Sequence, residues 1–260
     1  MSKNLIIIAA GDESLHRSWG VGDFDVFVVY YGNQKDRYRS SSKYYHCAKG
    51  TKFKLINELV VQYNDILSQY DAIFIPDDDL YMKSQTINKF FELFHEYKLH
   101  LAQPSIMGWG SIQCTLHQPN TLMRFTNWVE IMCPCFSKEA FFSCAWSFNE
   151  NNSNWGIERL WNKTLNEPKD KIAIIDSAIV IHTRPCFFGD TYWLNGNTFE
   201  SAIKDDKDIV EKHQVSMDII EYSRIEDLYF NQRKSEDRIY PNIDGFKEFC
   251  TALRSQRQFI

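Results

Sequence analysis

The stretch Ala72-Ile73-Phe74-Ile75-Pro76-Asp77-Asp78-Asp79-Leu80 constrains this chain more than any other: a short apolar run ends at a proline and three consecutive carboxylates. Four or five apolar residues bounded by polar ones are the pattern of a strand covered on both faces, as in a parallel sheet. The carboxyl ends of such strands are where open α/β sheets hold ligands. Three adjacent Asp side chains repel one another, and either good solvation or a divalent cation relieves the repulsion. In an extended segment Asp77 and Asp79 point the same way and can share one ion, while Asp78 faces the other side. Acidic triplets in general are more often solvated loop tips. The buried strand in front of this one favours a metal or diphosphate site. The other acidic run, Asp205-Asp206-Lys207-Asp208, lacks such a strand and reads as the solvated face of a helix.

Length and charge narrow the class. A chain of 260 residues buries a sizeable core, and 24% charged residues with 19 Phe, 13 Tyr and 7 Trp describe an ordinary soluble globular protein. The net charge of -5 argues against a nucleic-acid partner, which calls for a basic surface. No segment reaches the roughly 20 apolar residues of a membrane span. The six residues Leu5 to Ala10 make a first strand, too short for a signal-peptide core. Seven scattered cysteines, with no C-x-x-C or zinc-finger spacing, read as reduced structural thiols of a cytoplasmic protein. Cys133 and Cys135 share a strand face, and nothing marks either as reactive.

Along the chain, strand and helix patterns alternate. Leu5 to Ala10 and Phe24 to Tyr31 read as strands. Lys52 to Gln69 reads as a helix, with Phe53, Ile56, Leu59, Val60, Tyr63 and Leu67 at helical spacing. A second helix runs from an N-cap at Ser84 to about Tyr97 on the stripe Ile87, Phe90, Phe91 and Phe94. Leu101 to Gln103 and Val129 to Cys135 read as strands, Trp155 to Leu165 as a helix, and Lys171 to Asp176 and Ala178 to His182 as strands. The expectation is an α/β fold, a mainly parallel central sheet flanked by helices. From residue 196 the chain turns charged and amphipathic, so residues 1–195 form the core and 196–260 a C-terminal helical appendage packed on it. Phe246, Phe249, Leu253 and Phe259 beside Arg254 and Arg257 offer a peripheral contact with a membrane surface or partner, with core packing the commoner role.

Three further places carry suitable chemistry. Asn154-Trp155-Gly156-Ile157-Glu158 puts a carboxylate at a helix start, where free N–H groups and the dipole favour its ionised form; first-turn glutamates are also common for structural reasons. Ile179-Val180-Ile181-His182-Thr183-Arg184 ends a β-branched strand in His and Arg, although a lone strand-terminal His is more often structural. Lys49, Lys52 and Lys54 surround a helix start, which suits a diphosphate, though such lysines are equally often simply solvated.

The order of these features resembles the GT-A glycosyltransferase core: a strand, Asp-x-Asp, a carboxylate on a helix about 80 residues later (79 to 158) and then a strand-terminal His. More closely, the chain is similar to a GT-A-like family of bacterial and plant proteins of largely unassigned function. The matching segments lie within residues 5–190: Ala9 to His16, Ile75 to Asp79, Leu101 to Ser105, Asn127 to Ser137, Trp155 to Glu158 and Ile175 to Pro185. The resemblance implies that Asp77 lies towards the nucleotide ribose and Asp79 on the cation, with His182 another metal ligand. It places Ala10, Gly11 and Asp12 near base and ribose; Lys52, Lys54, Asp78 and Arg184 complete the expected donor-binding set. Glu158 falls where inverting members keep their catalytic carboxylate, although many of them have two acidic residues where this chain has Glu158-Arg159.

The implied function is transfer of a sugar from a nucleotide-diphosphate sugar to a glycan or other hydroxyl acceptor, as in bacterial surface polysaccharide synthesis. The ligand set suits Mn²⁺ or Mg²⁺, and a histidine ligand tilts this towards Mn²⁺. Trp109, Trp128, Tyr192 and Trp193 offer faces for sugar rings, though most aromatics are core. Two rivals are a metal-dependent phosphoesterase of the Asp-x-Asp type and a non-catalytic sugar-binding protein with the same shell. The first is weakened by the lack of a Thr or Val after Asp79-Leu80.

Overall fold

The computed structural model describes residues 2–109, 112–185 and 195–227. Its strands, in chain order, are β1 (Asn4–Ala10), β2 (Asp25–Tyr30), β3 (Tyr44–Cys47), β4 (Ala72–Phe74), β5 (Leu80–Tyr81), β6 (Leu101–Gly108), β7 (Thr121–Thr126), β8 (Cys135–Ser137), β9 (Ile172–His182) and β10 (Glu221–Glu226). The helices are α1 (Lys52–Gln62), α2 (Asn64–Leu67), α3 (Ser84–Glu96), α4 (Lys138–Cys144), α5 (Glu158–Thr164) and α6 (Phe199–His213). All strands join one sheet in the order β10-β7-β9-β6-β8-β4-β1-β2-β3, with β5 paired to β9 off this path. Strands β5, β7 and β8 run against the rest, so the sheet is mixed but mostly parallel.

The alternation of β1 shows how the sheet is covered. Ile6, Ile8 and Ala10 pack into the core under α3, with Phe90, Phe91 and Phe94. Leu5, Ile7 and Ala9 face the other way, into the core under α1 with Phe53, Ile56 and Leu59 and under α4 and α5 with Phe141 and Trp161. Every residue of β1 is buried, so a run without polar alternation is what this position needs. From β1 the chain moves outward through β2 and β3, then crosses to pair β4 with the other edge of β1. This reversal makes a crevice at the carboxyl ends of β1 and β4, the switch point where open α/β sheets bind ligands.

Several elements depart from the sequence reading. The helix expected over residues 52–69 breaks at Tyr63, which leaves helical dihedrals and packs edge-on against Phe27. Ser84 is the first residue of α3; Lys83 holds the cap position, without a side-chain cap bond. Residues 129–134 are not a strand, although the carbonyls of Met132 and Pro134 accept from the N–H groups of Asp77 and Ile75, each at 2.8 Å. The two strands expected at 171–176 and 178–182 are one, β9. It carries a bulge where the register against β6 jumps from Pro104 opposite Ile175 to Ser105 opposite Ile179. The bulge turns Asp176 inward, where Arg124 grips it through Nε (2.7 Å) and Nη2 (3.1 Å).

After residue 196 the chain is helical only in part. Thr198 and Ser201 form a reciprocal capping box on α6, and the chain then returns as β10, antiparallel to β7. Its sequence, Glu-Tyr-Ser-Arg-Ile-Glu, suits a solvated edge strand and lacks an apolar stripe. Phe246, Phe249, Leu253, Arg254, Arg257 and Phe259 lie outside the described residues. Among the described residues no helix is long and apolar enough to cross a membrane.

Candidate functional site

A cavity of about 510 Å³ opens over the carboxyl ends of β1 and β4, and Ala9, Lys52, Asp77, Asp78, Asp79, Glu158 and His182 all line it. Local pairing brings them together. Immediately after Asp79, the two residues of β5 pair antiparallel with the end of β9, setting Leu80 opposite His182. Thr183 then clamps the Asp79 carbonyl with its N–H (3.2 Å) and its hydroxyl (2.7 Å). The result is Asp79 Oδ2 at 3.4 Å from His182 Nε2.

His182 is fixed from both sides. Its Nδ1 lies 2.7 Å from the Trp109 carbonyl, which only accepts, so Nδ1 carries the hydrogen and Nε2 faces Asp79. Burial alone would lower the imidazole, but the Asp79 carboxylate outweighs it and raises His182 to about 9. Gly108, at φ +89°, makes this arrangement feasible: a Cβ there would sit 2.5 Å from the His182 carbonyl oxygen. Gly108→Ala is therefore expected to cost about 1–3 kcal/mol of stability and to displace the Trp109 carbonyl. Denaturant unfolding checks the first effect, and loss of the ¹⁵N shift signature of an Nδ1-protonated His182 the second.

The three aspartates divide their roles. Asp77 accepts from Lys52 Nζ at 2.5 Å, and the same ammonium also donates to the carbonyls of Ile131 and Met132. Asp78 turns the other way, accepting from the Gly11 N–H (2.7 Å) and the Tyr31 hydroxyl (3.2 Å). Burial and the neighbouring Asp79 charge push its carboxyl up to about 6. Asp79 stays ionised: burial opposes its charge, but the His182 bond and the His182 and Arg184 charges hold the carboxyl below the usual range. Its Oδ1 is buried with no hydrogen-bond partner among the described residues.

Glu158 is the first residue of α5, and its side chain is buried in the cavity wall, with no hydrogen-bond partner for Oε2 among the described residues. The helix start does not keep it ionised, as the sequence alone suggests. Burial dominates and raises its carboxyl to about 8. Arg159, next in sequence, does not neutralise it, because its guanidinium is committed to Asp206 (2.5 and 3.1 Å). Asp206 and Asp205 are thus not a solvated face. Asp205 accepts from the Ser153 N–H at 3.0 Å, and together they dock α6 onto the loop before α5. Gly156 permits that approach, since a Cβ there would meet Asp206 Cα at 2.8 Å.

Other expected residues are placed elsewhere. The parity of β1 puts Ala9 and not Ala10 on the cavity. Gly11 reaches the site only through its N–H to Asp78. Asp12 is occupied by the Tyr30 hydroxyl and the Asn33 N–H. Lys54, two residues along the helix from Lys52 and so roughly 200° round it, points out to Asn152 Oδ1 at 2.7 Å. Lys49 ties down the end of β2 through the Gly32 carbonyl (2.8 Å) and Asn33 (2.9 Å). Arg184 donates to the Glu13 carbonyl at 3.3 Å; burial opposes its charge, and Asp78 and Asp79 are near enough to hold it protonated. Trp128 lines the cavity while Trp109 is 59% exposed. Tyr192 and Trp193 lie outside the described residues.

The cavity also uses residues to which the sequence assigned no role: Thr51, Glu130, Trp155 and, from α6, Phe199 and Ile203. Asn154, at φ +67°, turns the chain into the Gly156 loop and accepts the Phe53 N–H at 3.0 Å. Among the described residues no group of three or more His, Cys, Asp or Glu side chains is arranged to hold a metal ion. Asp77, expected as a metal ligand, faces an ammonium instead. Cys133 and Cys135 are buried and unpaired, and burial holds both thiols well above their ordinary value.

Comparison with known proteins bears on the fold. A family model described as a protein of unknown function (DUF707) matches residues 110–237. No curated protein matches the sequence. Among solved structures, S. aureus TarS 1-349 in complex with UDP-GlcNAc superposes with a TM-score of 0.53 at 10% identity, over 84% of this chain and 68% of that one. A mycobacterial protein does so at 0.52 and 11%, over 83% and 75%. In another S. aureus TarS structure (TM-score 0.47, 11% identity, 82% of this chain) the chain spans 43% of its counterpart. At these identities the likeness is one of architecture, and with the mixed, mostly parallel sheet it shows that this chain has a GT-A-like fold.

Proposed function

We propose that this protein is a nucleotide-sugar glycosyltransferase that uses the cavity over β1 and β4 as its donor site. The observation that carries the reading is the convergence of Asp79, His182, Lys52 and Glu158 on one cavity at the sheet's switch point. TarS, with the same architecture, has been crystallised with UDP-GlcNAc, which supports a nucleotide-sugar donor here.

The residues fit a divalent cation shared with the donor. Asp79 Oδ1 is a buried acceptor without a partner among the described residues. The hydrogen on His182 Nδ1 leaves the Nε2 lone pair available once the ring is neutral, and its carbonyl anchor is the kind of outer contact that orients histidine ligands. Asp79 and His182 would hold the cation, which supplies charge neutralisation at the leaving diphosphate. Lys52, and Arg184 beside Asp78 and Asp79, add fixed positive charge on the same side.

In the transfer, an acceptor hydroxyl oxygen bonds to the anomeric carbon as the bond from that carbon to the diphosphate oxygen breaks. The electron pair leaves with the diphosphate, and the hydroxyl proton passes to Glu158. Attack opposite the leaving group inverts the anomeric centre. Because Glu158 in the free protein releases its proton only near pH 8, kcat/KM is expected to rise with pH up to about 8 and level off above it. A profile flat between pH 6 and 9 would remove Glu158 from the proton transfer.

The test of the reading is a panel of sugar nucleotides incubated with the protein, with and without Mn²⁺. A transferase slowly hydrolyses one donor without acceptor. Cleavage of simple phosphomonoesters instead indicates a phosphoesterase, and no turnover with retained binding indicates a sugar-binding shell.

A further inference from the structure

The cavity wall holds more unpartnered polar chemistry than the transfer step uses. Thr51 Oγ1, Trp128 Nε1 and Asn154 Nδ2 are buried without hydrogen-bond partners among the described residues. All three residues line the cavity and are 5%, 4% and 3% exposed. Buried polar atoms left unpaired are costly, and their concentration at one cavity points to a ligand that completes them.

Their chemistry defines that ligand. The Trp128 indole N–H only donates. The Asn154 amide is fixed in orientation, because its Oδ1 accepts from the Phe53 N–H at 3.0 Å, which leaves its buried NH₂ as the group to be satisfied. Thr51 holds the N-cap position of α1 but makes no side-chain cap bond, which leaves its hydroxyl for something else. Unlike Lys52 and Arg184, these groups are neutral and suit uncharged oxygens. Glu158 Oε2, also unpartnered, takes part in the same wall, and the Trp155 ring lines it as well. Neutral donors, a carboxyl group and an aromatic face are the set that recognises a pyranose.

We propose that Thr51, Trp128 and Asn154 form a hydroxyl-reading subsite for the sugar of the donor, selecting a neutral ring with free hydroxyl oxygens. The inference rests on the glycosyltransferase reading and adds that these three side chains set the sugar specificity. Thr51 precedes Lys52, the cation on Asp77, so the subsite adjoins the diphosphate end of the cavity.

Calorimetry with Mn²⁺ tests it, using UDP against UDP-glucose and UDP-N-acetylglucosamine, and GDP against GDP-mannose. The wild-type protein is expected to bind one sugar nucleotide about 10-fold or more tighter than its bare diphosphate. Thr51→Val and Trp128→Phe, both uncharged changes, are each expected to cut that ratio by about 10-fold while the diphosphate binds as before. With the wild-type chain, deoxy analogues of the preferred hexose lose the same increment at one or two ring positions, a readout independent of variant folding. An unchanged ratio in both variants, with deoxy analogues binding like the parent, overturns the subsite while leaving the transferase reading in place. Binding of no diphosphate by the wild-type chain overturns both.

Discussion

Glu158→Gln is expected to lower turnover by about 10²- to 10⁴-fold while donor binding stays within about 2-fold of wild type. The change keeps side-chain volume and removes the basicity, and in this cavity the replaced Oε2 has no partner to lose among the described residues. Because the carboxyl of Glu158 is raised to about 8 by burial, the neutral amide also relieves the cost of a buried charge at high pH. The variant is therefore expected to fold at least as well as wild type above pH 8. Steady-state kinetics with the donor found by the panel check the rate. A rise confined to the Michaelis constant for the acceptor would make Glu158 a positioning residue, and product with the donor's anomeric configuration would end the inverting proposal.

Asp79→Asn is expected to weaken Mn²⁺-dependent binding of the donor by about 10²-fold or more, since it removes the charge from a carboxylate whose buried Oδ1 has no hydrogen-bond partner among the described residues. The fold is expected to survive, because the Asp79 backbone carbonyl still accepts both bonds from Thr183. Calorimetry with the bare nucleoside diphosphate, with and without Mn²⁺, separates the two contributions. Wild-type affinity in the presence of Mn²⁺ would show that the cation does not sit on Asp79.

Much of the frame was legible in the sequence because the sheet is covered on both faces. A strand such as β1 is then an uninterrupted apolar run. The edge strands were not legible: β10 is polar along its whole length, and β3, Tyr44–Cys47, is half-exposed with no apolar alternation. Nor was the bulge in β9, which depends on Arg124 meeting Asp176 from 52 positions away.

For the candidate site, the residue types were readable and their contacts were not. Asp79 and His182 were singled out by order along the chain, but their adjacency depends on a two-residue strand too short to carry a pattern. The ionisation of Glu158 is not legible in the sequence, because a helix start shows there and burial does not. Asp206 reads as solvated in the sequence because its partner, Arg159, lies 47 residues earlier. Trp128 is legible as an aromatic face for a sugar, but the unpartnered indole N–H, like the Thr51 hydroxyl and the Asn154 NH₂, is visible only in the structure.

The central claim is that this cavity breaks the bond between a sugar's anomeric carbon and a nucleoside diphosphate. Donor hydrolysis in ¹⁸O-labelled water, followed by ³¹P NMR and mass spectrometry, tests it most directly. The account predicts nucleoside diphosphate free of ¹⁸O, with the label on the sugar's anomeric oxygen. Sugar phosphate and nucleoside monophosphate, with ¹⁸O on phosphorus, would contradict it.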